Sequence, residues 1–74
     1  MLCRANICAV GRALYGPSWQ RPLAEALGVA DRTVRRWAAG DAVPSPGVWA
    51  DLRTLVGARI AEINDVINKI NELE

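Results

Sequence analysis

The sequence predicts an all-α protein, a compact bundle of four to five helices that closes on an amphipathic C-terminal helix. Three observations carry that expectation. Apolar residues recur at helical spacing in every segment between punctuation marks, and no segment alternates like a strand. The marks themselves, Gly16-Pro17, Gly28, Gly40 and Pro44-Ser45-Pro46, lie close together, so the first helices are short. The chain has 74 residues, room for one domain with a thin core.

Cys3, Ile7, Val10 and Leu14 are spaced by four, three and four, which puts a first helix over about 3–15. Ser18 is the expected N-cap of a second helix over about 19–27, with Leu23, Ala24 and Leu27 turned inward. Pro22 falls in or just after its first turn, where a missing N–H costs least. A third helix over 31–39 stops at Gly40. Val34, Trp37 and Ala38 share its inner side, and Arg32, Arg35, Arg36 and Ala39 its outer one. Ser45 then caps a fourth helix with Pro46 at the first position and Trp49, Leu52 and Val56 inward. Gly57 either breaks the remainder into a fifth helix or sits inside one long one.

The net charge of +1 hides an asymmetry. Residues 1–36 carry six arginines against Glu25 and Asp31, a balance of +4. Residues 60–74 carry Lys69 against Glu62, Asp65, Glu72 and Glu74, a balance of −3, while 37–59 cancels. A basic front and an acidic tail point to different partners for the two ends. Arginine makes up all but one of the basic residues, and its planar fork suits phosphate and guanine edges. A GC-rich genome would produce the same bias.

With Cys3 and Cys8 the only cysteines and no histidine, no metal-ligand spacing can be built, and no metal or cofactor is expected. Five residues apart on a helix, the two cysteines point to different sides, so they read as reduced thiols of a cytoplasmic protein. The N-terminal stretch is interrupted by Arg4, Asn6 and Arg12, unlike a signal peptide, and no membrane partner is expected. An enzyme is the weakest class, since the parts for acid–base or nucleophilic chemistry are missing.

The stretch that decides the functional reading is "GVADRTVRRWAAG", residues 28–40. Glycine between the second and third helices permits a tight turn. Ala24 lets the third helix cross closely, and Val34 and Trp37 anchor it, which turns its arginines outward. Gln20 through Ala39 resembles the helix-turn-helix of the phage repressor and Cro (Xre-like) class of DNA-binding proteins. The resemblance rests on Gln20 opening the second helix, on Ala24, on Leu27-Gly28-Val29 at the turn, and on Val34. It covers roughly residues 5–58.

The resemblance implies that the third helix enters the major groove of double-stranded DNA. Arg32, Thr33, Arg35 and Arg36 would then contact bases. Gln20 would contact a phosphate, and Ser45, Gly47 and Val48 would offer free N–H groups to another. It further implies a transcriptional regulator, an (auto)repressor of phage or prophage type that reads inverted-repeat operators as a homodimer. In isolation, three arginines on an exposed face are more often only solvated. The alternative from another class is a protein-interaction module, an antitoxin or phage inhibitor, that uses the helix-turn-helix as a scaffold. Trp37 and Trp49 read as core, whereas Trp19 either lies against DNA or staples the second helix to the first.

The domain is expected to span 1–58 and the C-terminal helix 59–74. In heptads, Ile63 and Ile70 occupy a, Val66 and Leu73 d, Ile60 and Ile67 e. This stripe either folds back on its own domain or, as favoured here, pairs with the same helix of a second copy. Lys69 at g and Glu74 at e fit an interchain pair of the parallel kind, and Lys69 can equally pair with Asp65 in its own helix.

Overall fold

The computed structural model describes residues 6–73. Four helices follow one another: α1 (Asn6–Tyr15), α2 (Gln20–Leu27), α3 (Asp31–Ala39) and α4 (Pro46–Leu73). No strand occurs among the described residues. The expected start of α1 at residue 3, and Cys3 on its inner side, lie outside the described residues.

One fully buried aliphatic side chain from each helix meets at the centre: Ile7, Leu23, Val34 and Leu52. Burying each contributes about 1.5–3 kcal/mol relative to exposure. Trp19, Trp37, Leu14, Ala24 and Ala38 close around them. Trp49 and Val56, read as core from the sequence, are only half-buried and line its edge.

Helix α2 begins differently from the expectation. Ser18 does not cap it; Trp19 holds the N-cap position with helical φ and ψ of −77° and −19°, and no side chain caps the helix. The physical reason is the indole itself, which is 3% exposed and is drawn into the core rather than left at a polar boundary. Its ring lies over Gly11 of α1, where an added Cβ would overlap the ring carbons. The staple reading of Trp19 is therefore the one the fold adopts, and contact with DNA is closed to it. Gly11→Ala is expected to lose about 1–3 kcal/mol to overpacking, partly offset by the roughly 1 kcal/mol gain of alanine over glycine in a helix. Chemical denaturation of that variant should show a net loss, and a net gain would mean the indole has room to shift.

The turn after α2 is left-handed at Gly28 (φ 71°), and Val29 N–H donates to the Ala24 carbonyl at 3.0 Å. Any other residue at Gly28 would carry a Cβ into that strained region. Helix α3 starts after Ala30, which offers its backbone carbonyl but no side-chain cap. It ends at Gly40, and Asp41 N–H donates to the Arg36 carbonyl at 2.9 Å in a tight C-terminal wrap.

Helix α4 is one continuous helix of 28 residues that runs through Gly57, so the fifth helix is not formed. Nothing packs against Gly57, and a single glycine costs only about 1 kcal/mol in a helix interior. The proximal half of α4 lies on α1 and α2. Beyond Ile60 every described residue is exposed, so the stripe does not fold back on its own domain. The consequence is an elongated molecule, 48 × 27 × 18 Å, with a radius of gyration of 14.2 Å where a compact chain of this size would have about 11 Å.

Arg59 ties the two parts together. Its Nη2 donates to the Leu14 carbonyl at the end of α1, one of the acceptors a helix leaves without an internal partner. The same guanidinium sits 5.9 Å from the Tyr15 ring centroid, and Nη1 lies 3.9 Å from Glu62. Arg59→Met is expected to lower stability by about 1–2 kcal/mol through loss of the hydrogen bond and the cation–π interaction. Thermal melting checks this, and an unchanged midpoint would reduce the latch to a surface contact.

Cys8 is buried and disulfide-bonded, not the reduced thiol expected from the sequence. The helical-spacing argument required helix at both positions, and the described helix begins at Asn6. Cys3, the sequence's only other cysteine, lies outside the described residues. The redox argument for a cytoplasmic address loses its premise. Among the described residues no helix is long and apolar enough to cross a membrane.

Candidate nucleic-acid interface

The candidate surface is built by the way α3 is held. Val34, Trp37 and Ala38 commit one side of this helix to the core, which leaves the opposite side no protein neighbour. Arg32 and Arg36 lie one turn apart on that outer side, with Arg35 on its flank, and all three are exposed. Thr33 sits on the shoulder, half-buried, a quarter turn away from the arginines. The three arginines thus form one cationic face, and Thr33 borders it.

None of Arg32, Arg35 and Arg36 forms an ion pair among the described residues. The nearby acid, Asp31, is instead 3.8 Å from Arg21 of α2. Arg21 escaped sequence reasoning because it shares no face with the α3 arginines. Its pairing removes the one negative charge next to Arg32 from competition. Both partners are well exposed, so the bridge adds little to stability.

Gln20, the first residue of α2, is half-buried. The loop between α3 and α4 brings in the other candidate anion site at Ser45, Gly47 and Val48. Ser45 does cap α4: its Oγ accepts from Val48 N–H at 3.3 Å. That bond corrects the expectation of a free N–H at Val48, because a capping hydroxyl satisfies the donor that an anion would need. Trp49 N–H is taken by the Ser45 carbonyl at 3.1 Å. Gly47 and the Ser45 hydroxyl remain exposed at this helix start.

The chain matches no protein-family model, no curated protein and no solved structure. The reading of the surface therefore stands on its own geometry and charge.

Away from α3, the residues expected to pair between copies are Ile60, Ile63, Val66, Ile67, Ile70 and Leu73. All six are exposed along one side of the projecting part of α4. Lys69 Nζ lies 3.7 Å from Asp65 in the same helix. Lys69 thus forms the intrahelical pair open to it; Glu74, its candidate partner in a second copy, lies outside the described residues.

Proposed function

We propose that this protein is a sequence-specific DNA-binding regulator that acts as a homodimer on inverted-repeat operators, with α2 and α3 serving as a helix-turn-helix. The observation that carries the reading is the outer face of α3. Three arginines without acidic partners stand on a short helix whose other side is fixed by the core. A rigid helix of nine residues is the right size to enter a major groove. Arginine there makes the commonest specific contact, a bidentate pair to guanine O6 and N7.

On this reading Arg32 and Arg36 address bases and Arg35 bases or phosphate, with Thr33 reaching a base edge from the shoulder. Gln20, Gly47 and the Ser45 hydroxyl border the groove as phosphate contacts. One such helix supplies little affinity at physiological salt, and a second copy supplies the other half-site. On this reading the protein regulates by its own concentration, with a dimer over its own promoter excluding polymerase. Such a regulator works in the cytoplasm.

The test is selection from a random pool of duplex DNA, followed by binding of the enriched site across a salt series. An enriched inverted repeat, bound far more tightly than scrambled DNA, is the expected result. Failure to enrich any sequence, with equal weak binding to all duplexes, would reject the reading and turn attention to an acidic protein surface as the target.

A further inference from the structure

The distal part of α4, Ile60–Leu73, is a helix with one apolar side and nothing of its own chain against it. Ile60, Ile63, Val66, Ile67 and Ile70 are each about half exposed, and Leu73 is 87% exposed. Their stripe prolongs the side of the helix that carries Leu52 into the core and Trp49 and Val56 to its edge. We infer that this stripe is covered by the same stripe of a second copy running antiparallel, so that the two head domains stand at opposite ends of a shared helical bar. The inference rests on the homodimer proposed above and adds its orientation.

Area is the first argument for a second copy. The six exposed side chains offer on the order of 600 Å² per copy, and a pair would bury about 1,200 Å², the lower bound of specific interfaces. Any further apolar surface reached by the partner makes the difference between marginal and stable. The antiparallel arrangement reaches such a surface. Val10, Trp49, Leu52, Arg53 and Val56 line an open groove of about 360 Å³ where α1 meets α4.

Register decides the direction. In a parallel, in-register pair each residue meets its own copy. Arg59, which falls at d when Ile63 is at a, would then oppose Arg59 of the second copy. In an antiparallel pair, a layers face d layers. Ile63 then packs on Val66, Ile70 on the stem of Arg59, and Leu73 on Val56 at the lip of the groove. The most exposed of the six side chains is delivered to that cavity.

The electrostatics run the same way. Residues 60–73 carry Lys69 against Glu62, Asp65 and Glu72, a net −2. Residues 46–59 carry Arg53 and Arg59 against Asp51, a net +1. With Ile63 on Val66, residues 60–69 of the two copies face each other, which sets Lys69 of each beside Glu62 of the other, both at g, and residues 70–73 of each, with Glu72, run along 56–59 of the other, with Arg59. Arg53, exposed and without an ion pair among the described residues, stands beside the groove that receives Leu73.

The geometry has a measurable result. With the crossing between positions 63 and 66, Leu52 lies about 12 residues from the twofold axis, and the two heads are gripped about 38 Å apart at 1.5 Å per residue. That is close to the 34–36 Å between half-sites one turn apart. One chain is 48 Å long. The antiparallel dimer would be about 70 Å long and the parallel one about 50 Å, taking the same rise per residue.

Sedimentation equilibrium and small-angle X-ray scattering of the intact protein, without DNA, test this. The expected result is a dimer with a maximum dimension near 70 Å and a two-lobed distance distribution. Val66→Asp and, independently, Ile70→Lys should give monomers whose head keeps its native fold and urea midpoint, with Trp19 and Trp37 still buried, so that any fluorescence change comes from Trp49 in the uncovered groove. A monomeric wild type at high micromolar concentration, a dimer near 50 Å, or a dimer that survives both substitutions would each overturn it. Because no DNA is present, failure of the pairing and failure of the DNA reading are separate results.

Discussion

Trp19→Ala is expected to leave the protein largely unfolded at 25 °C. The indole is 3% exposed and spans the gap between α1 and α2, with its ring against the bare backbone of Gly11. Removing a buried aromatic costs about 3–5 kcal/mol. A domain of this length has a total stability of about 4–11 kcal/mol, and a thin core belongs near the bottom of that range. Urea denaturation followed by far-ultraviolet circular dichroism measures the loss. Trp19→Phe should retain much of the stability, since it keeps a ring over Gly11. A loss under 1 kcal/mol for Trp19→Ala would mean that the ring fills a site the core can close without it.

Simultaneous replacement of Arg32, Arg35 and Arg36 by alanine is expected to reduce affinity for a selected operator by at least about 100-fold, since each base-reading arginine is worth about 1–3 kcal/mol. Stability should be nearly untouched, because all three side chains are exposed and take part in no ion pair among the described residues. The salt dependence of binding should become shallower if Arg35 is on a phosphate, by about one unit of slope. Arg12→Ala, an exposed arginine at the end of α1, serves as the matched control and should bind as the wild type does. A loss per removed charge in the Arg12 control equal to that in the triple variant would mean that only bulk charge is being read. Titration of the selected site and a scrambled duplex at several salt concentrations separates these outcomes.

The helical segments were legible because their signals are local. Gly28 and Gly40 take the left-handed conformation that their places in the sequence called for, and Ser45 caps α4 as its position before Pro46 implied. The inner side of α3 was equally plain, since Val34, Trp37 and Ala38 keep one period. Where the reading missed, a long-range interaction had outweighed a local preference. Ser18 is the better capping residue, yet the core takes Trp19 and shifts the helix start with it. The role of Arg59 has no local signal, because its partners, Leu14 and Tyr15, lie about 45 residues earlier. Gly57 left a break and one long helix both open, and helical continuity on both sides gives the long helix. The arginine face could be found from sequence alone because the residues that bury α3 also determine which side stays outside. The pairing of Asp31 with Arg21 could not, since it depends on the angle at which α2 and α3 cross.

The unsupported length of α4 divides the molecule into two folding units of very different stability. The head is cooperative, with a core fed by all four helices. The fourteen residues from Ile60 to Leu73 have only their own hydrogen bonds, the Lys69–Asp65 pair and the Arg59–Glu62 pair to hold them, and they include four isoleucines and three asparagines. Such residues favour helix weakly, and an isolated helix of this length is marginal in water. In a solitary chain the arm is expected to fray while the head stays native, with amide exchange near the rate of an unfolded peptide. Pairing would order it, so association and coil-to-helix conversion would proceed as one event. Dilution would then lower the helical content while the head keeps its fold, and the cell would meet two species: an intact head with a loose tether, and a pair joined by a stiff rod.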